Sequence, residues 1–460
     1  MKHTTISAVT LFLLCWVMLL ETACTKTFLD LNPDKSKVIP ASIQDFQAML
    51  DNDGRVNSGL PSAGEEASDN GWMEDANWQA LSTLTLRNIY IWKRDVFNDN
   101  DRNQWSNTYA SVLNSNICLE GIGKIIPEPS VQGDWNNVKG SALFLRAYDF
   151  YILAQDFAKL YDSTTASKDL GIVLRLSSDI NIRSVRSSVQ ETYDRIIKDA
   201  KESLQYLPPT SLLYKTRPSK AAAYGLLARV YTSMRKYPEA GLYADSCLQL
   251  NNTLMDYNTL NTTQTNPIKR YNTEVVFHSI GNSTSGFFAT SKYRVDTVLY
   301  KSYANNDLRK KAFFKIVTAP SIASFYGSYD GSSSFFNGIA TDEMYLVKAE
   351  SLARAGKLTE SMSALNTLLV KRWVTGTFVP FTAATKEEAL TLVLTERRKE
   401  LTTRSLRWTD LKRLNTEPGR EATIIRNVNN QIYTLTPGDK RYVFPIPNSV
   451  IVMSGIQQND

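Results

Sequence analysis

The stretch 223–251, AYGLLARVYTSMRKYPEAGLYADSCLQLN, restricts the possible fold more than any other part of this chain. Ala228, Tyr231, Ala240 and Cys247 stand at the spacing of a two-helix repeat of the tetratricopeptide type. Two antiparallel helices approach closely only where small residues face each other, and Tyr231 fills the space beside them. A second copy begins at Met344, MYLVKAESLARAGKLTESMSALNTLLVKRW. There Ala349 takes the place of Ala228, Leu352 that of Tyr231, and Ala355-Gly356 supplies the turn. The helix expected over 142–157 resembles the first half of a further pair. Each unit buries its apolar face only against a neighbour, so the copies must stack. Yet residues 251–340 separate two of them, rich in Asn, Ser, Gly, Tyr and Phe and without helical period. The expectation is an all-α, tetratricopeptide-like helical repeat scaffold with long irregular loop excursions. Repeat helices fall near 105–250 and 342–415, and excursions near 60–104 and 251–340. Long loops carried on a rigid scaffold are where function concentrates.

Other segments fit the helical reading. SIQDFQAMLDND, within 40–60, reads as a helix followed by a loop. In WSNTYASVLNSNICLEGIGKII, Trp105, Tyr109, Val112, Leu113, Ile117 and Leu119 approximate helical spacing. A second long helix follows, with Asp134 placed to cap it, and a third over 188–207 is stopped by Pro208 and Pro209. The last helix is expected over 386–415. The closing RYVFPIPNSVIVMSGIQQND reads as extended, pinned by Pro445 and Pro447.

The N-terminus carries a different message. Residues 6–20 form an apolar block too short for a comfortable membrane span, which needs about 20 residues. Lys2 precedes it, and the small Ala23 and then Cys24 follow, so 1–23 reads as an export signal that is removed. A cysteine as first mature residue can carry acyl chains, two of which anchor a protein where one holds only marginally. The pattern resembles a bacterial lipoprotein signal, with Glu21 where such signals usually carry Leu and Leu20 one place early. Cys118 and Cys247 remain in the mature chain, read as two separate buried thiols or as a single bridge.

Several function classes drop out. The net charge of +6 is scattered over the chain rather than gathered in blocks, which argues against nucleic acid as partner. His278, in the strand-like EVVFHSI, is the one histidine left after the signal, so no three-histidine metal site and no more than one Ser-His-Asp triad could form. No metal site or cofactor is expected, and no GxxxxGK[ST], HExxH or CxxC occurs. Glu396 and Glu400, one helical turn apart, are the tempting catalytic pair. Arg397, Arg398, Lys399, Arg404 and Arg407 crowd them, which keeps carboxylates ionised and removes a general acid. The expected catalytic set is therefore empty and the pair structural.

Binding is a better fit. Sugars offer flat C–H faces to aromatic rings and hydroxyl rims to amides and carboxylates. EEASDNGWMEDANW presents Trp72 and Trp78 beside Asp69, Asn70 and Asn77, and FYGSYDGSSSFF presents Tyr326 and Tyr329 beside Asp330. The ligand-binding candidates are Asp69, Asn70, Trp72, Trp78, Tyr326 and Tyr329, each with core packing or a partner contact as the alternative.

Six pieces in order resemble one family. CTKTFLDLNPD, GSALFLRAYDFY, LGIVLRLS, ETYDRIIKDAKESLQYLP, ERRKELTTRSLRWTDLKR and VFPIPNSVI are similar to the SusD/RagB family over essentially the whole mature chain, 24–460, as one SusD-like domain. The family pattern after ERRKEL carries an acidic residue and Gly where this chain has Arg404-Ser405-Leu406. The resemblance implies a lipid-anchored, surface-exposed protein of the outer membrane of Bacteroidetes-type bacteria, the lid of a SusC-like TonB-dependent transporter. Its implied ligand is an oligosaccharide or polysaccharide. A peptide, or a repeat-based interaction or adhesion scaffold without small ligand, is the alternative.

Overall fold

The structure is a computed structural model that describes residues 40–459 apart from 99–100, 102–103, 212, 282–285, 318–321 and 335. The expected signal 1–23 and Cys24 lie outside the described residues. From Ile43 onward the chain packs as one unit. Its main helices are α1 (Ile43–Leu50), α2 (Ala63–Ala67), α3 (Gln104–Ile122), α4 (Gln132–Phe157), α5 (Val189–Ser203), α6 (Lys220–Ser233), α7 (Tyr237–Leu250), α8 (Thr341–Arg354), α9 (Leu358–Leu369), α10 (Lys386–Glu400), α11 (Arg407–Leu414) and α12 (Asn448–Ser454). From α3 to α9 each helix packs on the next, and α8 also packs on α10.

Local chemistry sets these elements. In α5, Ser188 Oγ accepts from the Glu191 N–H while the Glu191 carboxylate accepts from the Ser188 N–H, a reciprocal N-terminal cap. Val189, Tyr193, Ile196 and Ala200 then bury one face. Helices α4 and α6 bury residues on all sides because neighbours cover them all round. Asp134 lies in the first turn of α4 rather than at its cap, which is Val131 without a side-chain bond. Its charge still suits the positive end of the helix.

The α6–α7 and α8–α9 hairpins share one turn. Arg235 and Gly356 both take the left-handed conformation, at φ 61° and 76°. In each, the following lysine N–H (Lys236, Lys357) donates back to the carbonyl of Tyr231 or Leu352, at 2.9 and 3.0 Å. Arg235 tolerates a conformation that favours glycine while its guanidinium reaches Thr416, Tyr161 and Asp162. Between the hairpins, α7 meets α8 so closely that a Cβ on Gly241 would stand 2.2 Å from Ser351 Oγ. Tyr231 is buried and lies flat against Tyr243, with centroids 5.4 Å apart. Cys118 and Cys247 are buried free thiols, pushed up to about 12 by burial.

The fold is mostly helical, and among the described residues five two-stranded antiparallel ribbons are added where the sequence lacks helical period. They are β1 (Gly71–Met73) with β5 (Tyr293–Val295), β2 (Leu170–Val173) with β3 (Arg186–Ser188), β4 (Val275–Phe277) with β8 (Ile339–Ala340), β6 (Phe314–Ile316) with β7 (Ala323–Phe325), and β9 (Ile424–Val428) with β10 (Gln431–Leu435). The β4–β8 pair closes the base of the 251–340 excursion, which holds a core of its own around Tyr257, Phe313, Phe314 and Tyr329. The β1–β5 pair joins the two excursions, and β5 lies beside β7.

Two further expectations are corrected. The helix expected over 386–415 breaks after Glu400, where Thr403 and Ser405 both adopt φ 56°, and resumes as α11. Ser405 thus takes a left-handed conformation at the site where the family pattern has Gly nearby. The closing segment is not wholly extended: Pro447 leads into α12, since its fixed φ suits a helix start.

Candidate functional site

The aromatic loops that the sequence keeps far apart meet through the β1–β5 ribbon. Their shared apolar cluster contains Met73, Leu81, Tyr90, Phe287 and Tyr293, with Trp78 and Phe288 packed half-buried against it. Beside it opens a cavity of about 340 Å³ lined by Phe288, Phe325 and Tyr326, with Thr265, Asn266, Thr290, Thr403 and a run of serines (Ser328, Ser332, Ser333, Ser334). Apart from the Tyr326 phenol, no ionisable side chain among the described residues lines it. Lys315 sits 5.0 Å from the centroid of the Tyr326 ring, over one of its faces.

The structure sorts the six candidates. Tyr326 lines the cavity. Trp78 is half-buried, its ring against the shared cluster and its indole N–H donating to the Arg87 carbonyl at 3.1 Å. Trp72 is half-buried on β1 opposite Arg294 of β5. The other three are held by the protein itself. Tyr329 is 1 % exposed, donates to Glu274 at 2.5 Å and meets the Tyr257 hydroxyl at 3.1 Å. Asn70 is 1 % exposed and donates to Glu65 at 2.7 Å. Asp69 is gripped by Arg407 at 2.6 and 2.8 Å and by Arg398 at 3.1 Å. Burial opposes its ionisation, but Arg407 and then Arg398 hold its carboxyl well below the usual range.

These three residues position the loops. Asp69 ties the first excursion to α10 and α11. Glu65 adds a bond from the Ser405 N–H at 3.1 Å, and burial pushes its carboxyl up to about 7 against the Asn70 and Ser405 bonds. Arg426 of β9, buried and without a carboxylate partner among the described residues, donates to the carbonyls of Ser68 and Tyr90 and lies 3.9 Å from the Tyr90 centroid. In the second excursion, Asp330 accepts from Arg270 at 2.9 Å and Ser332 at 2.5 Å, and meets His278 Nε2 at 3.0 Å. Here the aspartate stands between serine and histidine, whereas acyl transfer needs the histidine between them. Among the described residues the Nδ1 of His278 has no partner, and this cluster anchors the cavity wall.

Glu396 and Glu400 are inside an ion-pair network. Arg309 bridges them at 2.5 and 3.0 Å and binds Asp307 at 2.7 Å. Arg372 links Glu400 to Glu274, both at 2.7 Å, and Lys399 binds Glu396 at 2.8 Å. Every one of these carboxylates is engaged by cations and buried, so the pair clamps the second excursion onto α10. Among the described residues no cluster of His, Cys, Asp or Glu could hold a metal ion, and no helix is long and apolar enough to cross a membrane.

Sequence reasoning missed Phe288, Thr290 and Thr403. The first two had a signal, an aromatic pair in the Gly/Ser/Thr-rich NSTSGFFATS stretch. Thr403 had none, because the break in the last helix brings it there.

Comparison with known proteins places this geometry. A profile described as SusD-like, starch-binding and associating with the outer membrane, matches residues 27–232, and the SusD family profile matches 340–460. Among curated proteins no relative matches the chain. A SusD superfamily protein from Bacteroides thetaiotaomicron is 20 % identical, with a TM-score of 0.72 over 91 % of this chain and 100 % of that one. A putative sugar binding protein from Bacteroides vulgatus is 20 % identical, with a TM-score of 0.70 over 92 % and 99 %. Surface glycan-binding protein A from Bacteroides uniformis is 16 % identical, with a TM-score of 0.68 over 91 % and 98 %. The two profiles flank the 251–340 excursion in chain order, and the fold spans nearly the whole chain: the protein belongs to the SusD/RagB family.

Proposed function

We propose that the protein is a non-enzymatic, lipid-anchored glycan-capturing protein of the outer membrane, which hands oligosaccharides to a SusC-like TonB-dependent transporter. The observation that carries the reading is the cavity of about 340 Å³ at the junction of the two excursions. It offers the aromatic faces of Phe288 and Tyr326 together with hydroxyl and amide groups, the two surfaces a pyranose ring demands. Its uncharged lining suits neutral sugar rings better than peptide termini. Trp72 and Trp78 extend the platform, and Asp69, Asn70 and Tyr329 hold it in shape. The α6–α7 and α8–α9 hairpins, read as tetratricopeptide-like units, form the scaffold, and Cys24 carries the lipid.

The test is calorimetry of the mature protein against a panel of neutral oligosaccharides, followed by Tyr326→Ala and Trp78→Ala on the best binder. Loss of ~1–3 kcal/mol of affinity in either variant supports the reading, with melting unchanged in Tyr326→Ala and lowered in Trp78→Ala, whose ring packs on the shared apolar cluster. Wild-type affinity in both variants, or shortening of the oligosaccharide by the wild type, overturns it.

A further inference from the structure

Away from this cavity, three larger hollows run together along the C-terminal segment. One of about 550 Å³ lies against the end of α4 and against α11, and one of about 790 Å³ lies on the other side of the turn at Gly438. A third of about 650 Å³ continues past Pro445 toward Asn98. The first and second share Asp439, Lys440, Val443 and Asn459; the second and third share Lys93, Asp95, Pro445 and Gln458. They form one groove, and none of its lining residues belongs to the cavity at Tyr326.

The groove gathers positive charge. Two of its carboxylates are already neutralised, Asp169 by Lys159 at 2.7 Å and Asp439 by Arg441 at 2.6 Å. Lys93, Arg94 and Lys168 are exposed along it, and among the described residues none has an anionic partner. Lys412, in the wall of the first hollow, donates to the carbonyls of Gln155 and Ala158, each at 2.8 Å, which leaves one of its three N–H groups without an acceptor among the described residues. Against these four cations stand Asp95, which no salt bridge engages among the described residues, and the buried Asp156, whose carboxylate acts on Lys412 alone. The basic residues come from residues 93–94, 168 and 412, so no block of charge marks them in the sequence.

We infer that this groove is a second ligand site, which takes an acidic polysaccharide through carboxylate or sulfate groups spaced along the chain. The cations lie in successive hollows and do not converge on one point, an arrangement that fits a repeating anion rather than a single phosphate. Leu160, Leu170, Val443 and Pro445 give apolar ground for sugar C–H faces between the charges. Attraction to such a chain is screened by salt, so affinity should fall steadily as ionic strength rises.

The experiment titrates the mature protein with polygalacturonate, heparin and neutral dextran at several salt concentrations. It compares a Lys93→Glu, Arg94→Glu, Lys168→Glu variant with a control carrying Lys124→Glu, Lys198→Glu and Lys386→Glu. All six positions are exposed, and circular dichroism of both variants checks that they fold. The site predicts salt-sensitive binding of at least one acidic polymer, at least tenfold weaker in the groove variant and within twofold of wild type in the control. Tyr326→Ala, which tests the neutral-glycan reading, should leave this binding unchanged. Equal losses in the two charge variants, or no acidic polymer bound, overturn the inference. So does equally tight, groove-dependent binding of double-stranded DNA or of phosphatidylglycerol vesicles.

Discussion

At the residue scale, one short motif shows how a ring becomes structural or exposed. In FYGSYDG, Tyr326 lines a cavity and Tyr329, three positions on, is buried against Glu274 and Tyr257. The difference lies in what surrounds each ring. Arg404 stacks 4.4 Å from the Tyr329 centroid and Arg372 pairs with Glu274, so the Tyr329 hydroxyl completes a buried polar network. Tyr329→Phe leaves a buried Glu274 oxygen with one donor fewer. It should cost ~1–3 kcal/mol in urea unfolding, while any loss of ligand affinity stays smaller than that of Tyr326→Ala. Equal stability of Tyr329→Phe and wild type would count against the anchoring role.

At the element scale, the two hairpins and the α10–α11 break hold the scaffold. Tyr231 is packed flat on Tyr243 between α6 and α7, so Tyr231→Ala should destabilise by ~3–5 kcal/mol through the cavity it leaves. Ser405 makes the opposite case. It holds φ 56° while its N–H donates to Glu65, and glycine adopts that conformation without the strain of a Cβ. Ser405→Gly keeps the N–H and should raise stability by up to ~1 kcal/mol, whereas Ser405→Val should lower it. Denaturant midpoints of the two variants measure both, and a stabilising Val would refute the strain argument.

For the whole molecule, buried carboxyl groups set the pH response. Burial pushes Glu65 up to about 7, Glu66 up to about 8 and Asp156 up to about 7. The folded protein therefore holds protons that the unfolded chain releases above pH ~4.5, and stability falls as pH rises from ~5 to 8. Asp69 acts the other way: Arg407 and Arg398 outweigh burial, so its contribution is present at neutral pH and is lost only below pH ~4. Lys412, lowered to about 8 by burial, changes the balance only above that pH. Stability should peak near pH ~5 and fall toward pH 8, and Glu66→Gln should flatten the slope. Urea midpoints across that range decide it, a flat or rising profile being the contrary result. Anchoring is tested in whole cells: fatty-acid label should mark the wild type and not Cys24→Ser, and label on the Ser variant would remove the lipid from the proposal.

The helical scaffold is legible in the sequence because hairpin packing is a local matter. Small residues at fixed spacing, a turn at Ala355-Gly356 and the stop at Pro208 and Pro209 act over a few residues, and the sequence states them directly. For Glu396 and Glu400 the sequence shows only part of the reason, since Lys399 is a neighbour but Arg309 and Arg372 reach the pair through tertiary contact, while Arg397, Arg398, Arg404 and Arg407 pair with Asp410, Asp69 and Asp342 instead. The fate of each aromatic is not legible. Trp78 and Phe288 share one apolar cluster only because β1 pairs with β5, across more than two hundred residues. Asp69 and Asn70 look like ligand-binding groups in the sequence, but tertiary contact supplies Arg407, Arg398 and Glu65 as their partners. The same holds for charge: a net +6 spread thinly along the chain becomes a basic groove once residues 93–94, 168 and 412 are folded side by side. Short-range periodicity specifies elements, whereas which side chains stay free to meet a ligand depends on long-range pairing that no local pattern encodes.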